Sequence, residues 1–298
     1  ELGLFDDRVF ISSSYYTNTS SNQLIGIPLP GTTGFSSLNA NLNATVENKG
    51  WEIELRTVNF DTKDFKWTSS ANLSIAKNSL LAFPDLEGST YANRLVVGEP
   101  LNIKKLYQLE GVDPQTGIYT FKDYNGDGII SSPNDNKAIR NLNPEFFGGF
   151  SNSISYKGFD FSFLFQFKKQ LGKSYTVTGL PGSLTSLPKP YLNRWQKPGD
   201  ITQIQRLTTG RNSNALKAYV NYLSSTASIS DASFIRLKNI SLSYQLDDKW
   251  IKGLDCKVYL QGQNLLTITN YDGLDPETQS SRTIPPLKIF TLGTTLTF

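Results

Sequence analysis

The sequence has no histidine and a single cysteine, Cys256. Without histidine the chain has neither a Ser-His-Asp triad nor a His-ligated zinc site of its own. One cysteine leaves no disulfide framework and no cysteine metal cluster. Charged residues make up only 18%, the formal charge is +3, and Lys and Arg form no run, so nothing points to nucleic acid. No apolar run of about 18 residues exists, which excludes a transmembrane helix. A β-barrel span needs only about 9–11 alternating residues and escapes that test. Hydrophobic residues, at 38%, are scarce for an enzyme of 298 residues, while Ser, Thr, Asn and Gly are abundant. Carboxylate pairs such as Glu52 with Glu54, or Asp247 with Asp248, have no partner base and no nucleophile motif, so no enzyme is expected.

What is present is alternation. In the stretch 146–168, Phe159, Phe161, Phe163, Phe165 and Phe167 occupy every second position, with Asp160, Ser162, Leu164, Gln166 and Lys168 between them. A strand sends successive side chains to opposite faces, so the rings share one face. Phe146, Phe150, Ile154 and Tyr156 repeat the period upstream, and Lys157-Gly158 reads as a two-residue hairpin turn.

The same period marks strands at about 1–5, 9–16, 51–56, 65–75, 233–246, 254–268 and 288–298. The phase slips near Asn239, which predicts a bulge. Residues 17–49, 77–145 and 170–231 read as long loops or insertions, and about twenty residues link the last two strands. Short turns and long loops alternate strictly. That asymmetry marks an outer-membrane barrel, with short periplasmic turns and long extracellular loops. Alternation alone leaves a soluble β-sandwich or β-solenoid open; the loop asymmetry favours the barrel. The expected fold is therefore all-β: an antiparallel transmembrane β-barrel portion of about nine strands, against lipid through the five phenylalanines. Such barrels have even strand numbers, so an odd count predicts that residues 1–298 form the C-terminal part of a larger barrel, whose N-terminal strands lie outside this chain.

Local motifs add sites. Asp123, Asn125 and Asp127, followed by Gly128 and by Ile129 with its carbonyl, reproduce the oxygen order of the first half of a calcium loop. At the twelfth position stands Asn134 rather than a carboxylate, and Asp135 closes the site if one residue loops out. The expected ligands of a structural Ca²⁺ are thus Asp123, Asn125, Asp127, Ile129 and Asp135; the bland alternative is an Asx/Gly turn. Arg194 and Trp195 offer a flat ring and a cation for substrate or lid contact, against ordinary loop packing. Trp51, Trp67, Tyr156, Phe159, Tyr244 and Trp250 are candidates for aromatic belts.

DYNGDGII, NPEFFGGFSNSISYKGFDFSFLFQF, NRWQKPGD, DASFIRLKNISLSYQL and GQNLLTITNYDGLDPE occur in that order, preceded by IPLPGTTGFSSLNANLNATVENKGWEIEL. Together they resemble the C-terminal barrel of the SusC/RagA-like TonB-dependent transporters of Bacteroidota outer membranes. The resemblance implies a 22-stranded barrel with a plug, a segment that contacts TonB, and a SusD-like surface lipoprotein as lid. It also implies uptake of oligosaccharides or peptides across the outer membrane. A large barrel with a structural or secretion-associated role is the alternative. The terminal GTTLTF, through Gly293, Leu296 and Phe298, resembles the signal read by the barrel-assembly machinery, which recognises an exposed edge with alternating apolar anchors.

Overall fold

A computed structural model describes residues 1–28, 31–34, 37–175, 180, 182, 186–187, 189–211, 213–246, 255–280 and 282–297. Trp250, Phe298 and the expected turn at 247–253 lie outside the described residues. Nine strands form one sheet in chain order: β1 (Leu2–Leu4), β2 (Val9–Ser21), β3 (Thr45–Asp61), β4 (Phe65–Ala82), β5 (Phe146–Tyr156), β6 (Phe159–Lys169), β7 (Phe234–Gln245), β8 (Asp255–Thr269) and β9 (Ile289–Thr297). Every neighbouring pair is antiparallel. The β5–β6 turn places Lys157 at φ 45° and Gly158 at φ 87°. Positive φ at both positions is what a type I′ turn requires, and it matches the twist of the flanking strands.

The registers align whole rows of side chains. Ile11, Leu55, Ala71, Phe150, Phe165, Leu237 and Leu266 stand directly opposite one another across seven strands. One residue along, Ser12, Glu54, Asn72, Gly149, Gln166, Arg236 and Thr267 form the row on the opposite face. The register shifts between Leu237 and Asn239, where the sequence phase slips; Lys238 is the extra residue against β6, and Asn264 and Leu265 stand opposite it on β8. The bulge returns Ile240 and Leu242 to the apolar face instead of flipping them.

Among the described residues no packed core sits on the apolar face. Each sheet strand makes its principal contacts with its sheet neighbours, and Phe150, Leu260 and Ile268 remain 42%, 49% and 56% exposed. The buried clusters lie in the long connections. One gathers Tyr119, Phe121, Ala218, Tyr219 and Tyr222; the other gathers Ala44, Leu80 and Phe83. All long connections leave the same end of the sheet: 22–44, 83–145, 170–233 and 270–288.

Three expectations are corrected. β2 and β3 run into the region read as a loop over 17–49, and β4 extends to Ala82. Asn18, Ser20, Glu47, Asn48 and Lys49 are polar on both faces, so the alternation fades although the ladder continues. The insertion over 170–231 holds a helix, α1 (Ser213–Leu223), whose Ala218 and Tyr222 pack into the aromatic cluster. The long connections also carry four two-stranded sheets of their own.

Candidate functional site: a two-faced wall and its loops

The outer row begins and ends in aromatic rings. At the short-turn end Phe60, Phe65, Trp67, Tyr156, Phe159 and Tyr244 follow one another across β3 to β7. Phe60 stacks on Trp67 at 6.0 Å, Phe65 meets Tyr156 at 6.3 Å, and Phe159 meets Tyr244 at 4.3 Å. At the loop end Tyr15 pairs with Trp51 at 5.0 Å and Phe146 with Phe167 at 6.4 Å. Phe159, Phe161, Phe163, Phe165 and Phe167 lie between, on one face of β6, and no second sheet covers them. The sequence pattern found these five but gave no special weight to Phe60 and Phe65.

One polar chain interrupts the apolar face. Trp67 Nε1 and Ser69 Oγ both donate to Asn152 Oδ1 at 2.7 Å; Asn59 Nδ2 donates to Ser69 Oγ at 2.7 Å and Thr57 Oγ1 to Asn59 Oδ1 at 3.0 Å. The chain converges on Asn152 Oδ1, while the buried Asn152 Nδ2 has no partner among the described residues. Sequence reasoning missed Asn152 because it occupies an apolar phase.

The opposite face is hydroxyl- and amide-rich. Lys257 Nζ lies 3.1 Å from the Asp160 carboxylate, which also accepts from Ser155 Oγ at 2.7 Å. Towards the loop end sits Arg236, 1% exposed. It donates to Thr267 Oγ1 at 3.0 Å, to Glu277 Oε2 at 2.7 Å and to Asp275 Oδ2, with its guanidinium 5.2 Å from the Phe234 ring. Asp275 in turn accepts from the amides of Glu277 and Thr278. GLDPE therefore folds the β8–β9 loop back onto β7. Gln170 Nε2 donates to Pro276 O at 2.8 Å, and Asp272 accepts from Ser174 Oγ at 2.8 Å, so the same loop is stitched to the β6–β7 connection.

The DYNGDG loop is compact. Asp123 accepts from the amides of Gly126 at 2.7 Å and Gly128 at 2.8 Å; Asp127 accepts from Ile129 N at 2.7 Å and from Asn125 Nδ2 at 2.8 Å. Asp135 is fully buried and accepts from Tyr124 N at 2.8 Å and Ser131 N at 2.9 Å. These two amides hold its carboxyl below the usual carboxylate range. Asp135 thus ties Tyr124 to Ser131 through their backbone amides. Among the described residues no three Asp, Glu, His or Cys side chains are grouped as a metal site.

Trp195 is committed to packing. Its Nε1 donates to Pro114 O at 2.9 Å, and its ring lies so close to Gly117 that a Cβ there would meet Cδ2 at 2.3 Å. Arg194 Nη1 donates to Tyr191 O at 3.4 Å. Tyr119 and Tyr222 stack at 4.1 Å within the loop core. In β9, Leu296 is exposed on the apolar face, and Gly293 stands opposite Tyr259, whose ring a Cβ at Gly293 would meet at 2.4 Å.

No protein-family model matches the chain. TonB-dependent receptor P3 of Formosa agariphila is 30% identical over 347 residues, covering 100% of this chain and 33% of that protein. TonB-dependent receptor SusC of Bacteroides thetaiotaomicron is 24% identical and also covers 100% of this chain, 31% of its own length. Among solved structures, the RagAB peptide transporter superposes with a TM-score of 0.81 over 99% of this chain and 34% of that one, at 24% identity. The chain thus spans about a third of the length of the curated relatives it matches. By sequence and by fold it is homologous to TonB-dependent receptors, SusC among them, and corresponds to a C-terminal portion of their barrel.

Proposed function

We propose that this chain is part of the wall of an outer-membrane importer. The whole protein would take up oligosaccharides or peptides by TonB-dependent transport, with a SusD-like lipoprotein at its mouth. The observation that carries this reading is the uncovered apolar face bounded by aromatic rings. β5 (Phe146–Tyr156) has 11 residues, so ten steps separate its ends. At about 3.4 Å per residue and a tilt of about 35–45°, that rise is roughly 24–28 Å, which matches an apolar band of about 25 Å. Face-to-face strands of a soluble sandwich would instead bury these rings. Support for import comes from the homology to TonB-dependent receptors, and support for a lid from the mass of loops at one end. The relatives are named as receptors, so transport rather than chemistry is assigned.

The test uses the full-length protein expressed in a Gram-negative host. Recovery in outer-membrane fractions, with mobility on gels that shifts on heating, supports the wall. Uptake that stops when the upstream TonB-contacting segment is deleted supports import. A water-soluble protein, or uptake indifferent to that deletion, would overturn the reading.

A further inference from the structure

At the loop end of the sheet, Ser20, Val46 and Leu80 are cross-strand neighbours on the same face as Glu54 and Arg236. Residues 91–105 line, together with them, a partly open cavity of about 570 Å³. That volume lies within the range of small-molecule sites. Its floor is aliphatic, with Leu42, Val46, Leu80 and Ile103, and Arg94, Lys104 and Lys105 stand around it. Among the described residues that line it there is no Asp or Glu. None of the ion pairs among the described residues includes Arg94, Lys104, Lys105 or the neighbouring Lys137. Lys105 Nζ donates to Ala92 O at 3.1 Å, which fixes its head group at the cavity wall.

Like charges held together beside apolar surface repel one another, and a counter-charge relieves the repulsion. Burial, with Lys137 beside it, already pulls the Lys105 ammonium below its usual range. The aliphatic floor suits a hydrocarbon side chain, while Ser20, Gln23, Asn93 and Asn102 add neutral polar groups to the lining.

We propose that this cavity binds an aliphatic carboxylate, with the hydrocarbon on the floor and the carboxylate against Arg94 and Lys105. The site rests on the importer reading and would select solutes at the mouth of the barrel. The free C-terminus of an apolar peptide and a simple branched organic acid share this chemistry.

The test measures binding by calorimetry to the assembled full-length protein in detergent, with heat-shifted gel mobility as the check on assembly. The probes are N-acetyl-Leu-Leu with a free carboxylate, its C-terminal amide, isocaproate and digalacturonate. The free acid is expected to bind about tenfold or more tightly than the amide, as a charged hydrogen bond implies, and less tightly at high salt. Isocaproate binding as well as the dipeptide acid would assign the site to simple acids, and weaker binding to peptides. Arg94→Gln with Lys105→Gln is expected to erase the preference for acid over amide, while Lys157→Gln at the far end leaves it intact. Equal binding of acid and amide, tighter binding of digalacturonate, or no binding to assembled protein would overturn the proposal. Failure of the wild-type protein to assemble in membranes would overturn the importer reading itself.

Discussion

Arg236 on β7 and Asp275 in the β8–β9 loop form an ion pair in which both side chains are buried, 1% and 6% exposed. The pair reaches across 39 positions of sequence. Removing one partner strands the other without water. Arg236→Ala is therefore expected to cost about 3–5 kcal/mol locally and to release residues 270–280 to proteolysis. Replacing Arg236 and Asp275 together by Met and Leu should recover most of the loss. Limited proteolysis with mass mapping, at fixed total stability, checks both outcomes.

Phe163 lies near mid-height of the apolar face, and Ser162 beside it faces the other way. Phe163→Lys is expected to destabilise the barrel by about 2–4 kcal/mol, whereas Ser162→Lys is close to neutral. Urea unfolding of the full-length protein in vesicles measures the difference. Equal effects at the two positions would place water on both faces.

Sequence alone revealed the strands wherever one face had to be apolar and the other polar. Phe159 to Phe167 are the plainest case. Beyond that band Asn18–Ser21 and Glu47–Lys49 continue the ladder with polar residues on both faces, and periodicity has nothing to report there. The Arg236–Asp275 latch was invisible because no local pattern links a strand cation to a distant Asx turn. Spacing from Asp123 drew attention to Asp135, but the amide donors of Tyr124 and Ser131 leave no mark in the sequence. For Trp195 the sequence left loop packing and recognition side by side, because composition does not disclose that Gly117 lies against its ring.

Calcium is expected to raise the protease resistance of residues 123–135, and Asp127→Ala to abolish that gain. The readout is cleavage with calcium and with chelator. Identical cleavage in both would leave the amide donors alone holding the loop.

The acid response of the same loop follows from Asp135. Its folded pKa lies below the ordinary 3.8. The stability it contributes is present above the unfolded value and is lost as pH falls through the folded one. Cleavage between residues 123 and 135 should rise below about pH 4, and Asp135→Asn should show that cleavage already at neutral pH.

Gly293→Ala places a methyl group against Tyr259 and is expected to cost about 1–3 kcal/mol. Tyr259→Ala should make the same substitution nearly harmless. A double-mutant cycle on the unfolding of the full-length barrel reads the coupling, and additive effects would sink the contact.

Aromatic rings lie over directly opposed glycines at three places in the sheet: Tyr16 over Gly50, Phe167 over Gly148 and Tyr259 over Gly293. Each pair works as an index notch. If β9 slid one place along β8, the ring would strike a side chain bearing a Cβ, and Leu292 and Leu296 would turn towards the wet interior. A strand seated by hydrogen bonds alone tolerates such slippage, since every rung of the ladder is alike. Three keyed positions, on β2–β3, β5–β6 and β8–β9, make the rungs distinguishable and let the wall close in only one alignment.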